Sequence, residues 1–295
     1  MEELCQVTHR QRTHAVLLLN GPPTSGRLGT AKPLAYAHPI MDRTPGSRPL
    51  ALITGASRRA GIGAAIAVHL ARDGWDVATT FWRAYDEGMR HGSDPTDVGW
   101  LHEQLIACAS KTAAVEADLS LIETPARVFD AVEKAIGPVT ALVLSHCHSV
   151  DSGILETTSE SFDLHFAVNV RASWLLVREF GRRYRAPRGH GRIVALTSDH
   201  VAGNLPYGAS KGALDRIVLA AAGEFRDLGI VANVVNPGPT DTGWMTVDQI
   251  EDFRRTTPGG RVGLPEDCAN LVRVLCSADG GWINGQLLHS NGGLR

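Results

Sequence analysis

The chain has 295 residues, a formal charge of −2 and 43% hydrophobic residues, which suits one globular domain with a large core. A balance so close to neutral gives no electrostatic case for nucleic acid or an anionic membrane as partner, and no apolar run approaches the ~20 residues that a membrane helix needs. The five cysteines, Cys5, Cys108, Cys147, Cys268 and Cys276, are scattered and form no C-x-x-C pair, which points to a reducing cytoplasm.

Residues 1–48 are dense in Pro, Gly, Ser and Thr and hold no period of 2 or 3.6, so they read as a disordered extension. They lack the basic start, apolar stretch and small-residue cleavage site of a secretory signal. Met41 is a candidate start, because "MDRTPGSRPLALITGAS" leads straight into the first strand. From residue 49 to 295 the pattern becomes regular. "PLALIT" is an apolar run fit for a buried strand, "GIGAAIAVHLARDG" has helical spacing, and "DVATTF" is a second strand. "DVGWLHEQLIACAS" and "TPARVFDAVEKAIG" read as helices on either side of the strand "TAAVEAD". "VTALVLS" is the fourth strand, residues 160–185 form one long helical stretch, and "GRIVALTS" is the fifth strand. Residues 206–228 are helical, "IVANVVN" is a strand, "PEDCANLVRVLCS" a helix and "GQLLHS" the last strand. Seven apolar strands alternating with helices predict an α/β fold, one doubly wound parallel sheet with helices on both faces.

Chemistry concentrates at the strand ends. In "LITGASRRAGIGAAIA", Gly55, Gly61 and Gly63 let the backbone turn tightly between strand and helix and approach a pyrophosphate. No acid follows the second strand to bond a ribose 2′-hydroxyl; Trp82 and Arg83 stand there, with Arg58 and Arg59 in the loop. A guanidinium suits a 2′-phosphate, so the pattern favours NADP over NAD. Further on, "YGASK" puts Tyr207 four residues before Lys211, one face of a helix. A free phenol titrates near 10, and a neighbouring ammonium favours its phenolate. Such a pair can protonate an alkoxide as hydride reaches a carbonyl carbon, or take the alcohol proton in reverse.

Together "TGASRRAGIG" and "YGASK", over residues 49–295, resemble the short-chain dehydrogenase/reductase family, in the branch that includes 3-oxoacyl-carrier-protein reductases. The resemblance implies a single-domain Rossmann fold, an NADP-dependent enzyme acting on a CH–OH group, a small ketone or alcohol as substrate, and a homotetramer or dimer. It implies a relay of Asn169, Ser198, Tyr207 and Lys211, with Thr197 as the fallback for Ser198. Lys211 would also hold the nicotinamide ribose, and Asn169 would anchor a water. For the cofactor it implies Ser57 and Ile62 beside the loop glycines, Asp118 and Leu119 at the adenine, and Ser145 after the fourth strand. Pro237, Gly238, Thr240 and Thr242 of "NPGPTDTGWM" would meet the carboxamide and phosphate, and "GWMTVDQIEDFRR" would form a lid with Trp244 and Met245 on its inner face.

Three departures stand out. The loop carries two extra residues before Gly61, and Ser198 precedes Tyr207 by fewer positions than is usual in the family. "LSHC", residues 144–147, replaces N-N-A-G. The adjacent His146, Cys147 and His148 would point to alternate sides of an extended segment, so no metal site is expected; His148 is placed at the substrate mouth. A non-catalytic dinucleotide-binding sensor or regulatory protein is the alternative reading, and a nucleotide-fold methyltransferase leaves the tyrosine–lysine pair unexplained.

Overall fold

The computed structural model describes residues 48–89 and 92–294; the extension read over residues 1–47 lies outside the described residues. Arg48 already belongs to the domain. Its guanidinium donates to the carbonyls of Ala71 (2.8 Å), Trp75 (2.9 Å) and Cys108 (3.1 Å) and pairs with Asp76.

Seven parallel strands form one sheet in the order β3-β2-β1-β4-β5-β6-β7. They are β1 (Leu50–Thr54), β2 (Asp76–Phe81), β3 (Thr112–Glu116), β4 (Ala141–Leu144), β5 (Arg192–Leu196), β6 (Val231–Asn236) and β7 (Leu287–His289). The central strands are buried on both faces, which is why they read as unbroken apolar runs. Alternation then divides each strand between two cores. Leu50, Leu52, Leu142 and Leu144 pack on one face with Phe129, Leu176, Phe180 and Val218. Ala51, Ile53, Ala141 and Val143 pack on the other with Ile66, Leu70, Leu105 and Leu275.

The first core is covered by α4 (Thr124–Ala135), α6 (Ser173–Arg183) and α7 (Leu205–Glu224). The second is covered by α1 (Ile62–Arg72), α3 (Asp97–Ala107) and α9 (Pro265–Cys276). A short α2 (Arg83–Glu87) follows β2, α5 (Ser159–Phe166) precedes α6, and α8 (Val247–Thr256) lies between β6 and α9. Helix α5 starts on Thr158, which accepts from the Ser161 amide, and α8 on a reciprocal Thr246–Gln249 capping box.

The stretch expected as one helix over 160–185 is three pieces. Between α5 and α6, residues Ala167–Ala172 widen into a π-helical turn, which frees backbone carbonyls from the ordinary ladder. Strand order reverses between β1 and β4, the point where open α/β sheets bind ligands beyond the strand carboxyl ends.

Candidate active site

A cavity of about 610 Å³ opens at that reversal. One wall is the glycine loop, where Gly55, Ser57, Arg58, Gly61, Ile62 and Gly63 all line the space. Gly55 has φ +72°, and a Cβ there would lie 2.5 Å from His146 Cα. On Gly63 a Cβ would lie 2.7 Å from the Gly55 carbonyl oxygen. No side chain caps the start of α1, so its first amides are left to face whatever enters the cavity. Trp82, Asp118 and Leu119 line one end, and Ser145, Tyr207, Lys211, Pro237, Thr242 and Trp244 line the rest.

The arginines expected together are separated. Arg58 lines the cavity and reaches across it, its Nη2 donating to the Thr242 carbonyl at 2.6 Å; burial lowers its pKa. Arg59 turns away, pairs with Asp97 (3.3 Å) and stacks over Trp100. Arg83 forms a two-pronged pair with Glu116 (3.1 and 2.8 Å) and does not line the cavity. Gly238 and Thr240 shape the turn after β6 without lining the cavity: the Thr240 hydroxyl sits on the Pro237 and Gly238 carbonyls, and Thr240 bridges to Gly263.

Tyr207 stands in the first turn of α7, which Asn204 and Pro206 begin. Asn204 does not cap the helix with its side chain; its amide nitrogen instead holds Ser149 Oγ and Asp151 Oδ1 in the loop after β4. The shortened loop after β5 brings Ser198 within reach of Tyr207, but the cavity wall carries Thr197, the fallback, and not Ser198. Lys211 Nζ lies 5.6 Å from the Tyr207 ring centroid and donates to the Leu196 carbonyl at 2.8 Å. Burial pushes the Tyr207 phenol above its usual range, Cys147 and Asp199 push the same way, and the Ser198 hydrogen bond opposes them. Burial lowers Lys211, against Cys147 and Asp215. The phenol therefore keeps its proton, the form a proton donor needs, against the pull towards phenolate expected from the lysine spacing.

Asn169 sits in the π-helical turn and is 1% exposed. Its side chain clamps the backbone of His148, accepting from the amide (2.6 Å) and donating to the carbonyl (2.9 Å), and also donates to Ser210 Oγ. Its backbone carbonyl accepts from Ser173. Asn169 thereby fixes the segment that lines the cavity.

The neighbouring histidines point apart. His146 turns inward, its Nδ1 2.6 Å from Thr54 Oγ1 and its Nε2 3.1 Å from the Val168 carbonyl. It takes up a carbonyl that the π-helical turn leaves over, and burial holds it down to about 3. His148 faces the cavity against Tyr85 and His165, and burial holds it down to about 4.

Sequence reasoning missed Tyr85 and Asp215. Tyr85 enters the cavity because α2 folds back to bond Ser149, and no local pattern signals that. Asp215 was legible, since it lies one further turn along the face that carries Tyr207 and Lys211.

Residues 55–295 match the family described as enoyl-(acyl carrier protein) reductase. An uncharacterized oxidoreductase of Bacillus subtilis is 35% identical over 83% of this chain and 96% of its own length. An NADPH-dependent aldehyde reductase-like protein of Arabidopsis thaliana is 32% identical over 83% of this chain and 93% of its own. A solved short chain dehydrogenase from Burkholderia cenocepacia, in complex with NADP, superposes with a TM-score of 0.74 at 31% identity, covering 83% of this chain and 97% of that one. With its parallel sheet, its glycine loop and its tyrosine–lysine helix, the chain belongs to the short-chain dehydrogenase/reductase family and is an oxidoreductase.

Proposed function

We propose that the enzyme uses NADP(H) to interconvert a ketone and a secondary alcohol. The observation that carries this reading is the meeting of Tyr207 and Lys211 in one cavity with the glycine loop, with Thr197 also on its wall. The cavity fits a dinucleotide: glycine backbone close enough to exclude a Cβ, uncapped amides of α1, and Asp118 at the far end. When bound, the cofactor supplies or accepts hydride. The protein's own part is proton and charge control. Tyr207 donates its proton to the developing alkoxide, Ser198 hydrogen-bonds the same oxygen, and Lys211 stabilises the phenolate left behind. Asn169 holds the His148 segment against the substrate.

Two arginines support a 2′-phosphate over a bare ribose: Arg58 in the cavity and Arg83 after β2, where Glu116 now shares it. The relatives named for NADPH and the NADP complex agree. Around the substrate position stand Tyr85, Val150, Leu164 and Trp244 with a neutral His148, an apolar setting suited to an uncharged ketone, of which a 3-oxoacyl-type compound is one candidate. The catalytic domain spans residues 49–295, with the preceding segment as an extension. No helix among the described residues is long and apolar enough to cross a membrane, and the described cysteines are free thiols, as a cytoplasmic setting requires.

Tyr207→Phe tests the reading. NADPH oxidation with a panel of diketones should fall by roughly 10³-fold in kcat, while NADPH affinity, followed by fluorescence, stays unchanged. Full turnover in the variant refutes the mechanism. Cofactor binding without turnover in the unmodified protein would instead favour a dinucleotide sensor.

A further inference from the structure

Helix α7 carries a third ionisable residue on the face of Tyr207 and Lys211. Asp215 lies one turn beyond Lys211. Its Oδ1 is shut off from solvent, and no described residue donates to it. The Thr197 hydroxyl, just after β5, donates to the Lys211 carbonyl at 3.4 Å. A carboxylate with one oxygen shut away unpartnered is destabilising by itself, and α7 would form as well with a neutral residue there. Lys211 supplies a reason for it. The amine is 3% exposed, and its Nζ donates to the neutral Leu196 carbonyl. A buried ammonium needs opposite charge nearby.

We propose that Asp215 is the positioning residue for Lys211: a carboxylate one turn behind the amine, acting through space to keep it an ammonium. The groups around the amine leave this task to few others. Cys147, after β4, also favours the ammonium, with Asp215 next. His146, from the same segment, is neutral and fully buried. His165 on α5 is engaged at both nitrogens, by the Ser161 carbonyl and the Val150 amide. Asp199 acts on Tyr207, and Arg216, beside Asp215 on α7, favours its charged form.

The consequence for turnover rests on the tyrosine–lysine reading above. Burial raises Tyr207 and lowers Lys211, so the first proton to leave the pair as pH rises comes from Lys211. Ketone reduction needs that proton in place. Removing the Asp215 charge lowers Lys211 further, and the alkaline limb of kcat moves to lower pH.

Asp215→Asn keeps the shape and removes the charge, and Asp215→Glu restores the charge. The chain holds four lysines, Lys32, Lys111, Lys134 and Lys211, so a preparation labelled at lysine Cε resolves the Lys211 titration by NMR. In Asp215→Asn the Lys211 midpoint should fall by about one pH unit, and the alkaline limb of kcat should fall with it. Asp215→Glu should return both towards the parent, with Tm in Asp215→Asn unchanged or raised. An unmoved Lys211 midpoint in a folded Asp215→Asn overturns the inference. A moved midpoint with an unmoved kcat profile upholds it and instead overturns the part given to Lys211 in catalysis. Should Asp215→Asn not fold, Asp215→Ser takes its place: a Lys211 midpoint equal to the parent's overturns the inference, and a lowered one upholds it.

Discussion

His146 ties three elements through one neutral ring: Thr54 at the end of β1, its own segment after β4, and Val168 in the π-helical turn. Neither nitrogen is left over to accept a proton, and burial with the nearby Lys211 charge holds the ring down to about 3. An unfolded histidine titrates near 6.5. The folded value is the lower one, so the native state is fully stable above the unfolded value and loses stability as pH falls through the window between them. For His146 the loss between about pH 7 and about pH 5 is about 2 kcal/mol. His148 adds in the same direction but less, because solvent reaches it. Urea midpoints at the two pH values should record this slope, and His146→Gln should flatten it. A midpoint in the unmodified protein that ignores pH over this range would contradict the assignment.

At the scale of elements, the catalytic geometry depends on how the start of α7 meets the short loop after β5. Gly208 follows Tyr207, and a Cβ there would lie 2.2 Å from the His200 carbonyl oxygen. The loop is bound to its surroundings: the His200 amide donates to Ser198 Oγ, and the Leu205 amide to the Ser152 carbonyl. Alanine at Gly208 favours the helix itself by about 1 kcal/mol, yet it must drive the loop, and with it Ser198, away from Tyr207. Gly208→Ala should therefore lower kcat/KM by roughly tenfold or more while NADPH affinity holds. Unchanged kcat/KM would show that the loop gives way without moving Ser198.

At the scale of the molecule, two of the places where large apolar side chains stand exposed bear on assembly. Trp174 on α6 is 47% exposed, close to the half-exposed Phe162 and Phe166 pair on α5, whose rings stack. At the far edge of the sheet Trp282 is 92% exposed and Leu287 on β7 is 40% exposed. A monomer rarely leaves such clusters uncovered; we propose that they are the interfaces of the homotetramer or dimer that the resemblance implies, one at α5 and α6 and the other at β7. Trp174→Glu should place a charge in the first interface, and light scattering should then find a smaller assembly than the parent forms. A parent that is already monomeric at working concentration would dismiss the assembly.

The alternation of apolar strands with helices, the turn-forming glycines and the placing of Tyr207 and Lys211 one turn apart are local patterns, and the sequence by itself determined them. They follow from strand and helix periodicity and from the backbone freedom of Gly55, none of which depends on distant residues. Tertiary structure alone decided what each polar side chain meets. Of three arginines in suitable positions, only Arg58 lines the cavity, because Asp97 and Glu116 come from other elements to hold Arg59 and Arg83. The π-helical turn, the inward His146 and the clamp of Asn169 on His148 depend on α5, β1 and β4 meeting. The protonation of Tyr207 was decided there too. An ammonium one turn away argues for an acidic phenol, but burial acts on both groups and keeps the proton on the oxygen, and burial belongs to the packed chain as a whole rather than to any stretch of it.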